Sequence, residues 1–218
     1  MRFQKTLCVL TVATGIALSG AALAEELAVG ISRSMDKFEG TLNGKPISIM
    51  RNQDQSNTVN PAFAKTSRKC PPFCIQPGQL GDGVETIGEL ELIAYIEKMS
   101  AGDDSILLVD SRTPDWASKG TIPGAINLPW TKLNPAKGAD PISISEILGG
   151  QFGAKEMEGL WDFSDAKTLV LFCNGMWCGQ SPNNIKNLMR FGYPANKIKW
   201  YRGGMQDWEV LGLTTVKP

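Results

Sequence analysis

The residues of this chain best suited to chemistry stand in one short run, Cys173-Asn-Gly-Met-Trp-Cys-Gly-Gln-Ser181. It follows a continuous apolar stretch, Thr168-Leu-Val-Leu-Phe172, and precedes a helical pattern whose inner face is Ile185, Leu188 and Met189. A loop between a strand end and a helix start turns backbone N–H groups inward and makes an anion nest. A cysteine at its first position has its thiolate stabilised by those groups, which moves its pKa from ~8.5 towards or below neutrality. Gly175 and Gly179 permit close backbone approach. The chain has no histidine. Ser-His-Asp and Cys-His nucleophile systems are therefore excluded, as is any His-ligated metal site. Cys173 must be activated without imidazole; the bland alternative is a buried structural cysteine.

Cys178 lies in the same loop. It is a candidate resolving thiol, able to attack a sulfenate or persulfide on Cys173, or else a small residue packed under the helix start. Asn174, Gly175, Met176, Trp177, Gly179, Gln180 and Ser181 form the cradle around the nucleophile. Cys70 and Cys74 bracket two prolines and a phenylalanine. With two cysteines and no histidine, a local disulfide is expected there rather than a zinc site. Pairing of either with Cys178 stays open.

The elements that position this loop alternate between helix and strand. Thr86 and Glu89 suggest a capping box ahead of a helical face through Leu90, Ile93, Ala94 and Ile96. Ile106–Val109 reads as a strand buried on both faces, and Ile122–Leu128 as a second. Short helices are expected around Ile144–Leu148 and Glu156–Trp161, and a last strand at Ile198–Tyr201. Ser181, with Pro182 after it, is placed to cap the helix that follows the loop. The five tryptophans at 116, 130, 161, 200 and 208 are read as core or core-edge residues. This alternation means an α/β domain with a central, mainly parallel sheet flanked by helices.

Upstream, residues 25–83 differ. Phe38–Leu42 and Pro46–Met50 flank Asn43-Gly44, a hairpin signal. A polar stretch and the Cys70–Cys74 loop follow, so this segment reads as a small hairpin-containing extension. Residues 1–24 read as a cleaved signal peptide: Arg2 and Lys5, an apolar run from Leu7 to Leu18, then Ala22-Leu-Ala24. Cleavage leaves a chain with two more acidic than basic residues. The expected location is the periplasm, with no membrane association after cleavage. The formal net charge of zero for the whole chain gives no sign of a nucleic-acid partner.

Residues 84–218, read as the main domain, contain four ordered motifs that resemble the rhodanese-like family. Leu107-Leu-Val-Asp-Ser-Arg112 is similar to the family's early strand ending in Asp-x-Arg. Gly120-Thr-Ile-Pro-Gly-Ala-Ile-Asn-Leu-Pro129 resembles its G-H-I-P-G-A-x-N-x-P segment. Leu171-Phe-Cys173 resembles the strand that delivers its cysteine, and Trp200-Tyr-Arg-Gly-Gly-Met-Gln-Asp-Trp208 its closing L-x-G-G-x-x-x-W. The resemblance implies sulfur transfer. The Cys173 thiolate takes a sulfane sulfur from a donor such as thiosulfate, holds it as a persulfide, and gives it to a thiol acceptor or cyanide. It implies no cofactor and no metal; the partners are a small sulfur-containing anion and a thiol, small molecule or protein. Residues 174–181 carry no Arg or Lys, where many active members have an Arg. Arg112 and Arg202 are the nearest candidates for anion binding, with fold-holding ion pairs as the alternative. Thr121 stands where the family usually has His. Two other functions stay open: a thiol-disulfide redox protein using Cys173 and Cys178, and a binding module of low activity.

Overall fold

The computed structural model describes residues 27–218, and the expected leader at 1–24 lies outside them. In chain order the elements begin with strands β1 (Lys37–Leu42), β2 (Lys45–Met50) and β3 (Glu85–Ile87), then helix α1 (Glu89–Ser100). Strand β4 (Ile106–Asp110), helix α2 (Pro114–Ala117), strand β5 (Ile126–Asn127) and helix α3 (Pro141–Glu146) follow. The chain continues through β6 (Lys155–Met157), β7 (Leu160–Asp162), β8 (Thr168–Phe172), α4 (Gln180–Arg190), β9 (Ile198–Tyr201) and α5 (Gly204–Val210). Strands β3-β9-β8-β4-β5 make one five-stranded sheet, and every neighbouring pair is parallel.

A parallel sheet needs cover on both faces, and the strands supply apolar side chains to each. Leu169 and Leu171 of β8 pack with Ile185 and Leu188 of α4 on one face. Val170 and Phe172 pack with Ile93 and Ile96 of α1 and Met205 and Trp208 of α5 on the other. The period-two alternation of one strand thus serves two cores. The β1–β2 hairpin turns at Asn43 and Gly44, both at positive φ (51° and 74°), as a two-residue hairpin turn requires. It lies against α1: Thr41 N–H donates to Ser100 Oγ at 2.8 Å, and Leu42 and Ile49 join the α1 core. The extension is therefore part of the packed body.

Several sequence expectations give way here. Thr86 lies in β3 and donates its hydroxyl to the Gly78 carbonyl at 2.7 Å. The helix start is held by Glu91, which accepts from Gly88 N–H at 3.1 Å. The strand expected at 122–128 shrinks to Ile126–Asn127, because Pro123 lacks an N–H and Gly124 turns the chain at φ 86°. The helix expected at 156–161 is a hairpin, β6–β7; Glu158 and Gly159 take φ values of 53° and 80°, which reverse a chain and break a helix.

Candidate active site

Cys173 sits at the carboxyl end of β8, a central strand, where ligands gather in open α/β sheets. Its backbone is clamped by α5: the Met205 N–H donates to the Cys173 carbonyl at 2.9 Å and the Gln206 N–H to the Asn174 carbonyl at 3.0 Å. This contact explains Gly204. A Cβ there would stand 2.3 Å from the Cys173 carbonyl oxygen, at a backbone φ of +57°.

The Cys173 side chain is 2% exposed. The Ser181 hydroxyl donates to Sγ at 3.1 Å and itself accepts from Trp200 Nε1 at 3.1 Å. In its neutral form the thiol donates to the Cys178 carbonyl at 3.3 Å. Burial pushes the Cys173 thiol up. Hydrogen bonds from the Cys178 thiol, the Ser181 hydroxyl and the N–H groups of Ser181 and Gly175 outweigh it, and the pKa falls from 9.0 to about 7. Cys178 moves the other way: burial, the bond to Cys173 and the Cys173 charge hold its thiol well above the ordinary range. Both cysteines are free thiols. Ser181 does not cap α4; the N-cap is Gly179, and the serine hydroxyl is engaged at the sulfur instead.

The remaining loop residues divide between holding the loop and lining a cavity. The Met176 carbonyl accepts from Gln76 N–H at 2.8 Å. Trp177 Nε1 donates to Gln206 Oε1 at 2.6 Å, and Gln206 Nε2 donates to the Phe63 carbonyl at 3.0 Å. When Cys173 is protonated and its sulfur needs no donor, Gln180 Oε1 accepts from the Cys178 thiol at 3.6 Å. A cavity of about 420 Å³ opens beside the loop, lined by Asn174, Trp177, Cys178, Gly179 and Gln180. Its other walls include Trp116, Trp130 and the extension residues Arg68 and Phe73. Cys173 does not line it directly; its neighbour Asn174 and its partner Cys178 do. Trp116 and Trp130 are thus pocket walls, while Trp200 and Trp208 are core.

Neither arginine singled out in the sequence reaches this cavity. Arg112 is 1% exposed and bound to Asp110, with Nε and Nη2 reaching the carboxylate at 2.9 and 2.6 Å. It also donates to the Gly120 carbonyl at 2.6 Å. Thr121, in place of the histidine, donates its hydroxyl to the same carboxylate at 2.8 Å. Arg112 is a fold-holding group because Asp110 would otherwise be a buried unpaired charge. Arg202 donates to the carbonyls of Pro77 and Gln76 at 3.0 and 2.8 Å, fastening the extension to the sheet. Cys70 and Cys74 are joined by a disulfide, which closes the turn that carries Phe73. The charged group that does line the cavity, Arg68, was passed over in the sequence, since nothing local links it to a loop so far downstream.

The model of the rhodanese-like domain matches residues 93–210. An HTH-type transcriptional regulator of Mycobacterium tuberculosis is 27% identical over 134 residues, covering 62% of this chain and 46% of that protein. The chain thus spans less than half the length of that curated relative. Among solved structures, a human single-domain sulfurtransferase is 24% identical, over 57% of this chain and 95% of that one, with a TM-score of 0.36. A rhodanese-related protein of Thermoplasma volcanium is 17% identical over 62% and 99%, with a TM-score of 0.37. With the family's domain matched over more than half its length, and a cysteine loop closing the central strand, the chain belongs to the rhodanese-like domain family.

Proposed function

We propose that this protein is a sulfurtransferase or persulfide carrier with Cys173 as its nucleophile. The reading is carried by one arrangement: a buried cysteine at a central strand end, its sulfur accepting from the Ser181 hydroxyl and its thiol pKa lowered to about 7 by that bond, the Cys178 thiol and the N–H groups of the loop. These donors stabilise a thiolate, and they would equally stabilise the terminal anion of a persulfide. The thiolate attacks the sulfane sulfur of a donor. The new Sγ–S bond forms as the donor's S–S bond breaks, and the leaving anion takes the bonding pair. An acceptor thiolate or cyanide then attacks the outer sulfur and returns Cys173 as thiolate. We also propose export to the periplasm, supported by the leader-like first 24 residues and by the Cys70–Cys74 disulfide.

A second reading rests on a specific observation. Cys173 and Cys178 are free and hydrogen-bonded, one depressed and the other raised in pKa, which suits an attacking and a resolving thiol. Steady-state sulfur transfer to cyanide separates the two. A carrier retains most of its turnover in Cys178→Ser and loses it in Cys173→Ser. Loss of turnover in both variants would favour the dithiol mechanism.

A further inference from the structure

The cradle of Cys173 contains no cationic side chain, yet a donor's leaving group is an anion. The cavity beside it holds one ionised side chain, Arg68, which comes from the extension. Its guanidinium lies 3.8 Å from the centre of the Trp177 ring and 6.0 Å from that of Phe73. Its Nε and Nη2 atoms are buried and have no hydrogen-bond partner among the described residues. Stacking on a ring satisfies the π-face of a guanidinium but leaves its in-plane N–H donors unused. Buried donors without acceptors are costly, and native proteins seldom keep them without a reason. A second orphan lines the same cavity: Asn174 is 4% exposed and its Oδ1 is buried without a partner. Two residues that carry unpartnered buried polar atoms thus line one cavity, next to the nucleophile's loop.

We propose that Arg68 is the anion-binding group of this site, and that the cavity selects an organic sulfane-sulfur anion over inorganic thiosulfate. This rests on the sulfur-transfer reading above. Charge and surface both favour it. A single guanidinium neutralises a monoanion, whereas a dianion such as thiosulfate would leave one negative charge uncompensated among apolar walls. Four of the walls are aromatic, Phe73, Trp116, Trp130 and Trp177, and they reward an apolar body. The volume of about 420 Å³ falls in the range of small-molecule sites. An aryl thiosulfonate has the matching parts. The Cys173 thiolate attacks its outer sulfur, the Sγ–S bond forms, the S–S bond to the sulfonyl breaks, and the aryl sulfinate departs with the electron pair onto Arg68. The extension thereby supplies in space the cation that the loop lacks in sequence.

The test compares benzenethiosulfonate with thiosulfate as donors to cyanide, using the intact disulfide-bonded protein, Arg68→Gln and Arg68→Lys. The wild type is expected to prefer benzenethiosulfonate by tenfold or more in kcat/KM. Arg68→Gln is expected to raise its KM by about tenfold or more, since a charge-assisted hydrogen bond is lost, and Arg68→Lys to recover part of it. Near-UV circular dichroism confirms that both variants stay folded. An active wild type that prefers thiosulfate, or whose KM ignores Arg68→Gln, overturns the assignment while leaving sulfur transfer intact. Should the wild type take sulfur from neither donor, the sulfur-transfer reading fails. Quenching of tryptophan fluorescence by benzenesulfinate then decides the site alone: weakened binding in Arg68→Gln upholds an anion pocket, and equal or absent binding overturns it.

Discussion

At the residue scale, a thiol near neutrality in a chain without histidine has to draw its acidity from neutral donors. Ser181 is the one side chain whose role here can be removed cleanly, because its hydroxyl lies 3.1 Å from Sγ and is braced by Trp200. The rate of Cys173 alkylation by iodoacetamide is expected to rise with pH through a midpoint of about 7, as the thiolate replaces the thiol. In Ser181→Ala the anion loses a donor, so the midpoint moves upward; an unchanged midpoint would show that the backbone N–H groups suffice. Cys173 and its loop were legible in the sequence because a strand, a cysteine and a Gly-bearing loop are contiguous. The part played by Ser181 was not: a serine before Pro182 signals a helix cap equally well, and only the strand β9 beyond it, bringing Trp200 alongside, turns the hydroxyl to the sulfur. Arg68 was illegible for a stronger reason. Its partner surface is assembled from four separate parts of the chain.

At the scale of elements, α5 holds the Cys173 loop by two backbone hydrogen bonds and one close approach. Gly204→Ala places a methyl 2.3 Å from the Cys173 carbonyl, so the strand end and the helix start must separate. The expected result is a loss of about 1–3 kcal/mol in urea denaturation, the usual cost of overpacking, together with a fall in sulfur transfer. Loss of stability with activity intact would show that the loop tolerates the shift. The Gly-Gly pair of the closing motif was visible in the sequence, and the structure supplies its cause. By contrast, the hairpin β6–β7 was missed. Its turn, Glu158-Gly159, has a glutamate where the first hairpin has Asn43, and its strands are three residues each, too short to show an alternation that a helix would not also fit.

At the scale of the whole molecule, the extension is both packing and a wall of the cavity beside the Cys173 loop. Leu42, Ile49 and Phe63 are buried in the core beside α1 and α5, and Arg68 and Phe73 close the cavity. A protein lacking residues 27–83 is expected to bind more 8-anilinonaphthalene-1-sulfonate and to unfold at lower urea concentration, because the α1–α5 face of the sheet is uncovered. An unchanged urea midpoint would mean that this face is stable without its cover. The sequence marked the extension's hairpin, since Asn43-Gly44 is a local signal, but not how the segment is attached. Its attachment is made by contacts distant in sequence, such as Arg202 to the carbonyls of Gln76 and Pro77, which no local pattern announces.

Intact mass spectrometry of the protein after brief incubation with thiosulfate or benzenethiosulfonate tests the role of Cys173 most directly. The expected spectrum gains the mass of one sulfur atom, loses it on adding cyanide, and shows no gain in Cys173→Ser. A gain that persists in Cys173→Ser, or no gain in the wild type with either donor, would contradict a persulfide-forming site at Cys173.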